Sequence, residues 1–426
     1  MNKVKVVYYG PVGSLSGYGA ASRGIIKSLI ENYQDKWDIK IIPCGWGSLP
    51  VNFIDNNPEW KWLESYFLNK NLDYQPDIMM WHTIPNEAKP IGKRNILFTA
   101  GIETTVCAPQ WIESINLMDL TIVPSQHAKQ VFENSKFTKQ DQNTKQVVGE
   151  IKLEKPVEVV FEGFDSNIYN FSTILPQSLV KQELDQISES FCFLGVGNWT
   201  PGQFLEERKN ISGLIKIFLE TFKNKKSKPA LLLKTHVGSS SIPDREELLK
   251  RIEQIKDTVN SKDLPNIYLI HGDLTDKEMN ELYNHPKVKA MVSLTKGEGF
   301  GRPLLEFTQS KKPIIASGWS GHLDFLNKEY STLLPGSLTP IHPSAQVKDM
   351  LIEGSSWFSV DLGQAGGYLK DYFENHSKYK DNGKRLGFYC KENFSFEKMK
   401  ELQKQIIDKY NLEPYNLVLP KLKKIN

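Results

Sequence analysis

Short apolar runs alternate with stretches of helical periodicity along the whole chain. VKVVYYG, at 4–10, is predicted as a first strand, and the apolar spacing of GAASRGIIKSLIE, at 19–31, as the helix after it. WDIKIIPC, DIMMWH, RNILFTA and LTIVPS follow as second to fifth strands, and SQHAKQVFENS as a helix starting at Ser125. Residues 136–155 are polar and rich in Gln and Lys, as expected of an exposed hairpin or loop, and PVEVVFEGFD ends this first half. The pattern from 167 to 190 is irregular, which suits a connection between domains. A second series begins with FCFLGVG, the helix NISGLIKIFLETF, PALLLKTHV and the helix REELLKRIEQIKDTV. It continues with IYLIHG, the helix KEMNELYNH, KAMVSL, a further helix, KPIIAS and STLLPG, the last as strand or loop. FSFEKMKELQKQIIDKYN closes the chain as a strongly amphipathic helix. Strands that are apolar throughout, separated by helices, imply a mostly parallel sheet covered on both faces. Each half opens on a glycine-marked strand, so the pattern predicts two doubly wound α/β domains with a cleft between them.

The stretch 293–325, SLTKGEGFGRPLLEFTQSKKPIIASGWSGHLDF, carries the sharpest candidate chemistry. It sets Glu298 and Glu306 eight residues apart around the loop Gly299-Phe300-Gly301 and a proline, Pro303, suited to the first helical position. A strand, a glycine loop and a helix start form an anion cradle, because unpaired N–H groups and the helix dipole both face the loop. Carboxylates beside such a cradle repel a phosphate but accept hydrogen bonds from hydroxyls. Glu306 is expected in the first helical turn and Glu298 ahead of the loop, so that the two flank one ligand. Phosphate together with sugar hydroxyls reads as a nucleotide-sugar site.

The bulk numbers exclude little. At 426 residues the chain has room for two or three cores, and a net charge of +3 neither demands nor excludes a polyanionic partner. The basic end PKLKKIN reads as a solvated tail. Cys44, Cys107, Cys192 and Cys390 are scattered without CxxC spacing, which argues against a metal or redox motif and for a reducing compartment. MNKVKVVYYG runs into a strand without a leader-like segment, and no apolar run reaches transmembrane length, so a cytoplasmic location is expected, with peripheral membrane contact open. The first loop, GPVGSLSGYGAASRG, resembles a dinucleotide fingerprint but places Ser22 where the third glycine belongs. The second strand ends in Pro43-Cys44-Gly45, without the acidic residue that holds an adenosine ribose, which disfavours nicotinamide cofactors. Gly17 and Gly19 beside Tyr18 are therefore read as letting backbone approach a phosphate or sugar, with a flexible turn as the alternative.

EGFGRPLLE followed by PIIASGWSGHLDFL resembles the Glu-x7-Glu signature of the retaining nucleotide-sugar glycosyltransferases of family 4, which have the two-domain GT-B fold. NIYLIHGDLTDKEMNELYNHPKVKAMVSL, VEVVFEGFDSNIY, LGVGNWTPG and RKNISGLIKIF are similar to further segments of that family. The resemblance implies two Rossmann-like domains facing a cleft: 1–175 on the acceptor side, 190–390 binding the donor, and 391–426 a helix crossing back to the first domain. It implies that Glu306 binds the donor ribose and Glu298 the transferred sugar, beside the amides of Gly299, Phe300 and Gly301. Lys209 would neutralise the pyrophosphate, as a departing diphosphate requires a cation.

Two positions depart from the family. Asn198 stands where an arginine is usual, with Arg208 as its substitute, and NILFTAGIETT lacks the usual histidine, leaving Glu103, or His82 in DIMMWHTIP, as the candidate near the reacting sugar. The absence of any Asp-x-Asp pair agrees with a metal-independent enzyme that needs no cofactor beyond its donor substrate. The implied reaction is hexosyl or pentosyl transfer with retention to a glycan or lipid-linked acceptor. Hydroxymethylated bases of phage-type DNA are an alternative acceptor, with stretches such as KNKKSK at 223–228 to face a polyanion. An epimerase or a sugar phosphorylase is the enzymatic rival, and a non-catalytic nucleotide-sugar-binding protein the other.

Overall fold

The structure, a computed structural model, describes residues 3–410 apart from 48, 142, 143 and 145; the PKLKKIN end lies outside the described residues. The first sheet is built from β1 (Val4–Gly10), β2 (Trp37–Pro43), β3 (Ile78–His82), β4 (Arg94–Phe98) and β5 (Leu120–Val123). The polar stretch expected as a hairpin is one, an antiparallel pair of β6 (Phe137–Gln140) and β7 (Val147–Ile151), and β8 (Val157–Val159) completes the sheet. The strand order is β2-β1-β3-β4-β5-β8, parallel throughout. Both faces are buried. Tyr8, Met80, Ile96 and Ile122 belong to one core, and Leu97 and Val123 to the core on the other side.

The second sheet contains β9 (Cys192–Val196), β10 (Ala230–Lys234), β11 (Ile267–Ile270), β12 (Val288–Ser293), β13 (Ile314–Ser317) and β14 (Thr332–Leu334), in the order β11-β10-β9-β12-β13-β14 and again parallel. Alternate residues of its strands split between two cores: Phe193, Leu231 and Val292 on one face, Leu194, Leu232 and Met291 on the other. In each sheet the chain leaves the first strand on one side and returns on the other. A crevice therefore opens beyond the strands' carboxyl ends, between β1 and β3 and between β9 and β12.

Several pieces were not expected. A short helix, Leu179–Asp185, capped by Ser178, interrupts the irregular connection. β15 (Gly336–Pro340) and β16 (Ser356–Val360) form an antiparallel arm, and the helices Leu362–Glu374 and Lys380–Asn393 follow it. The amphipathic final helix is present as Phe396–Lys409, with Ser395 accepting from the Lys398 amide as its cap. Its apolar stripe crosses back to the first sheet: Phe396, Met399, Ile406 and Ile407 join the core of Val6, Ile26 and Leu29. Asn32 donates to the Lys400 carbonyl at 3.2 Å, and Tyr33 donates to Asp408 Oδ1 at 2.8 Å. Ile407 is 2% exposed, so Ile407→Ala is expected to destabilise the first domain by about 3 kcal/mol, read as a lower urea midpoint at unchanged slope.

Candidate functional site

The wall contributed by the second domain starts at the loop after β12. Gly301, at φ +96°, ends the loop and caps the Arg302–Thr308 helix. Asn210, at φ +50°, begins the Ile211–Phe222 helix, so the chain just before it presents Arg208 and Lys209 to the loop. Lys209 Nζ donates to Glu298 Oε1 and Oε2, at 2.6 Å each. Arg208 Nη1 lies 3.7 Å from Glu298 Oε2. Burial works against a charged Glu298, but Lys209 and then Arg208 overcome it and hold the carboxyl below its ordinary value. The loop thus carries a carboxylate whose ionised form is favoured by its pairing with a lysine.

The facing wall comes from the first domain. Tyr18, in the second position of the Gly17–Tyr33 helix, accepts from the Ala100 amide at 3.0 Å, and its ring stacks on Trp46 at 3.7 Å. His82, the last residue of β3, has Nδ1 2.9 Å from Tyr8 Oη, which in turn is 2.8 Å from Ser22 Oγ. Burial pushes the His82 imidazole down to about 3, so it is neutral at any working pH. Residues 99–105 run along the seam. Glu103 Oε1 receives the Arg208 guanidinium at 3.0 Å, and Ser125 Oγ donates to the Gly299 carbonyl at 2.6 Å.

Between the walls lies a cavity of about 430 Å³. Of the residues expected at the site, it brings together Glu298, Lys209, Arg208, Asn198 and Glu103 with Gly299, Phe300 and Gly301, and with Gly17, Tyr18 and His82 of the first domain.

Two expectations need correction. Gly19 is not on the cavity; its amide is taken by the Ser16 cap, and a Cβ there would sit 2.1 Å from the Ser14 carbonyl, so it serves turn packing. Glu306 does not line the cavity either. The helix begins at Arg302, which moves Pro303 to its second position and Glu306 to its fifth, beyond the first turn. There it meets Arg302 Nε at 2.7 Å, four residues back. Burial raises the Glu306 carboxyl to about 7, with Arg302 opposing, Asp276 adding and the nearby Tyr169 hydroxyl also opposing. A carboxyl raised in the fold favours folding most when protonated. Its contribution is complete below about pH 4.5 and is lost as the pH passes through 7, to the extent of about 3 kcal/mol. Thermal melts of Glu306→Gln are therefore expected to gain on wild type steadily between pH 5 and 8.

Sequence reasoning missed three contributors. Glu162, three residues past the end of β8, lines the cavity, as do Arg302 and the arm residues Val347, Met350 and Leu351. The signals existed. Glu162 is a charge inside the apolar run VEVVFEGFD just past a strand's carboxyl end, and Arg302 stands four residues before Glu306 on a helix.

No known protein-family model matches this chain, and no curated protein matches it in sequence. Solved structures do match its shape. A glycosyltransferase from Rickettsia africae superposes with a TM-score of 0.64 at 14% identity, covering 96% of this chain and 99% of that one. Anabaena HepE, solved in complex with UDP-glucose, gives 0.60 at 13%, over 95% and 99%. Sucrose-phosphate synthase from Thermosynechococcus elongatus gives 0.61 at 10%, over 96% and 99%. The fold is GT-B. In GT-B terms, the cavity lies between the two domains, at the switch points of both sheets.

Proposed function

We propose that this protein transfers a sugar from a nucleoside-diphosphate sugar to an acceptor hydroxyl, with retention at the anomeric carbon. The observation that carries the reading is the Lys209–Glu298 pair on the cavity wall, with Arg208 beside it. A carboxylate kept ionised suits the hydroxyls of the transferred sugar, and the two cations suit the charge that develops on a departing diphosphate. The neighbouring amides of residues 299–301 add donors. In this reading no carboxylate attacks the sugar and no divalent ion is required, since Lys209 and Arg208 meet the leaving group. The acceptor approaches from the first-domain wall and attacks on the face that the diphosphate leaves. A ribose partner role for Glu306 requires it to exchange Arg302 for the ribose hydroxyls. UDP-glucose in the Anabaena relative makes uridine sugars the first donors to try. No helix among the described residues is long and apolar enough to cross a membrane, and we place the acceptor, a glycan or lipid-linked saccharide, at the cytoplasmic side.

A thermal-shift screen against nucleotide sugars tests the reading. Ligand at about one hundred times its Kd adds about 2.7 kcal/mol, which raises Tm by several degrees. A shift with one nucleotide sugar and a smaller one with the free sugar supports it. No shift with any member of the panel overturns it.

A further inference from the structure

Three carboxylates line the cavity: Glu103, Glu162 and Glu298. Two are already engaged. Glu298 holds Lys209 at 2.6 Å, and Glu103 holds Arg208 at 3.0 Å. Glu162 is different. Among the described residues its carboxylate accepts no hydrogen bond, although it lines the cavity between the domains. His82, the other candidate proton acceptor, is tied to Tyr8 through Nδ1 and kept a very weak base by burial.

The backbone around Glu162 is fixed from two sides. On one, Val160 donates to the Val123 carbonyl at 2.9 Å, which anchors the end of β8 on its neighbour. On the other, the chain that carries the crossover helix clamps it: Phe164 donates to Phe394 at 3.3 Å and Phe396 donates to Phe164 at 2.8 Å. Gly163 lies so close that a Cβ would be 2.7 Å from Phe396 Cα. A carboxylate on a rigid support that is left without a hydrogen bond beside a cavity fits work on a ligand better than work for the fold.

We propose that Glu162 is the catalytic base that receives the proton of the attacking hydroxyl. This rests on the glycosyl-transfer reading above. As the acceptor oxygen bonds to the anomeric carbon, the bond from that carbon to the phosphate oxygen breaks. Its electron pair stays on the diphosphate, which Lys209 and Arg208 meet. The acceptor O–H proton passes to the Glu162 carboxylate, which returns it to solvent after the products leave. The charged and titratable groups facing Glu162 are Arg302 and Glu298 from the second domain and Tyr18 from the Gly17–Tyr33 helix. Burial raises its carboxyl to about 7, with Arg302 opposing and Glu298 adding. A base in that range is half ionised near neutrality and works best just above it.

Water can stand in for the acceptor, so hydrolysis of the nucleotide sugar selected by the thermal-shift screen reads the step without knowledge of the natural acceptor. Glu162→Gln is expected to lower hydrolytic kcat by roughly 10²–10³-fold and to abolish the acidic limb of its pH profile, while donor Kd, by calorimetry, changes less than about threefold. Glu162→Asp, which keeps the carboxylate, is expected to recover part of the rate and the limb. If Glu162→Gln binds donor and hydrolyses it within about threefold of wild type, or keeps the limb, Glu162 is not the base. If no nucleotide sugar binds the wild-type protein, the glycosyl-transfer reading itself fails, and the proposal with it.

Discussion

Lys209→Ala is expected to lower kcat for donor cleavage by roughly 10²–10³-fold, about 3–4 kcal/mol of transition-state stabilisation. Lys209 is the cation in direct contact with Glu298, with both of its carboxylate oxygens 2.6 Å away. Its removal subtracts the charge that the leaving diphosphate needs. It also leaves a buried carboxylate with only Arg208, 3.7 Å away and already shared with Glu103. The second consequence separates this loss from one of binding alone. With its main counter-charge gone, Glu298 titrates higher, so the residual activity of Lys209→Ala is expected to fall off at a higher pH than that of wild type. Lys209→Arg keeps the charge and is expected to retain more of the rate. Steady-state kinetics across pH on the three proteins provides the measurement.

Gly297→Ala is expected to cost activity by roughly 10²-fold or more while leaving both domains folded. Gly297 has no positive φ, so alanine suits its backbone; what is missing is space. A Cβ at this position would lie 2.2 Å from the Glu103 carbonyl oxygen, an atom of the opposite domain's backbone. No side-chain rotation relieves that clash, so the domains must part. Parting strains the Arg208–Glu103 pair, the Ser125 bond to Gly299, and the 2.9 Å bond from the Gln126 amide to Asp324. It also strains the contact of the arm, where Thr105 donates to Ser356 at 2.9 Å. The domain cores lie elsewhere, in the two faces of each sheet. Unchanged far-ultraviolet circular dichroism with a larger radius of gyration in solution scattering, together with lost activity, is the expected pattern. Wild-type activity in Gly297→Ala would show that the seam has slack that this packing denies.

The parts of the fold legible in the sequence were those where one physical signal dominated. Strands such as β9, β10 and β13 coincide with apolar runs, because strands buried on both faces have no polar side to interrupt them, whereas β2 and β8 carry Asp38, Lys40 and Glu158 among their apolar residues. Residues 336–393 were opaque for the opposite reason. The β15–β16 arm is partly solvated, with Leu338 half exposed, and the Leu362–Glu374 helix carries Gly363, Gly366 and Gly367, which argue locally against a helix. At the site, the Glu298 loop and Lys209 were legible because strand, glycine loop and helix form a local unit. The misplacement of Glu306 came from a one-residue shift in the helix start, set by the left-handed conformation of Gly301. Glu162 was overlooked because its environment is made by three distant pieces: the Arg302 end of the glycine loop, Tyr18, and the crossover helix. Such juxtapositions exist only once the chain is folded.

The claim that this cavity cleaves a nucleotide sugar with retention is tested most directly by proton NMR of the protein incubated with the nucleotide sugar selected by the thermal-shift screen. Starting from an α-linked donor such as UDP-glucose, the account predicts that the free sugar first appears as the α anomer and reaches the β anomer only by later mutarotation, and that Glu298→Ala suppresses its release. First appearance of the β anomer, conversion of the intact donor into an epimer, or binding with no cleavage in the presence of a pool of acceptors would contradict it.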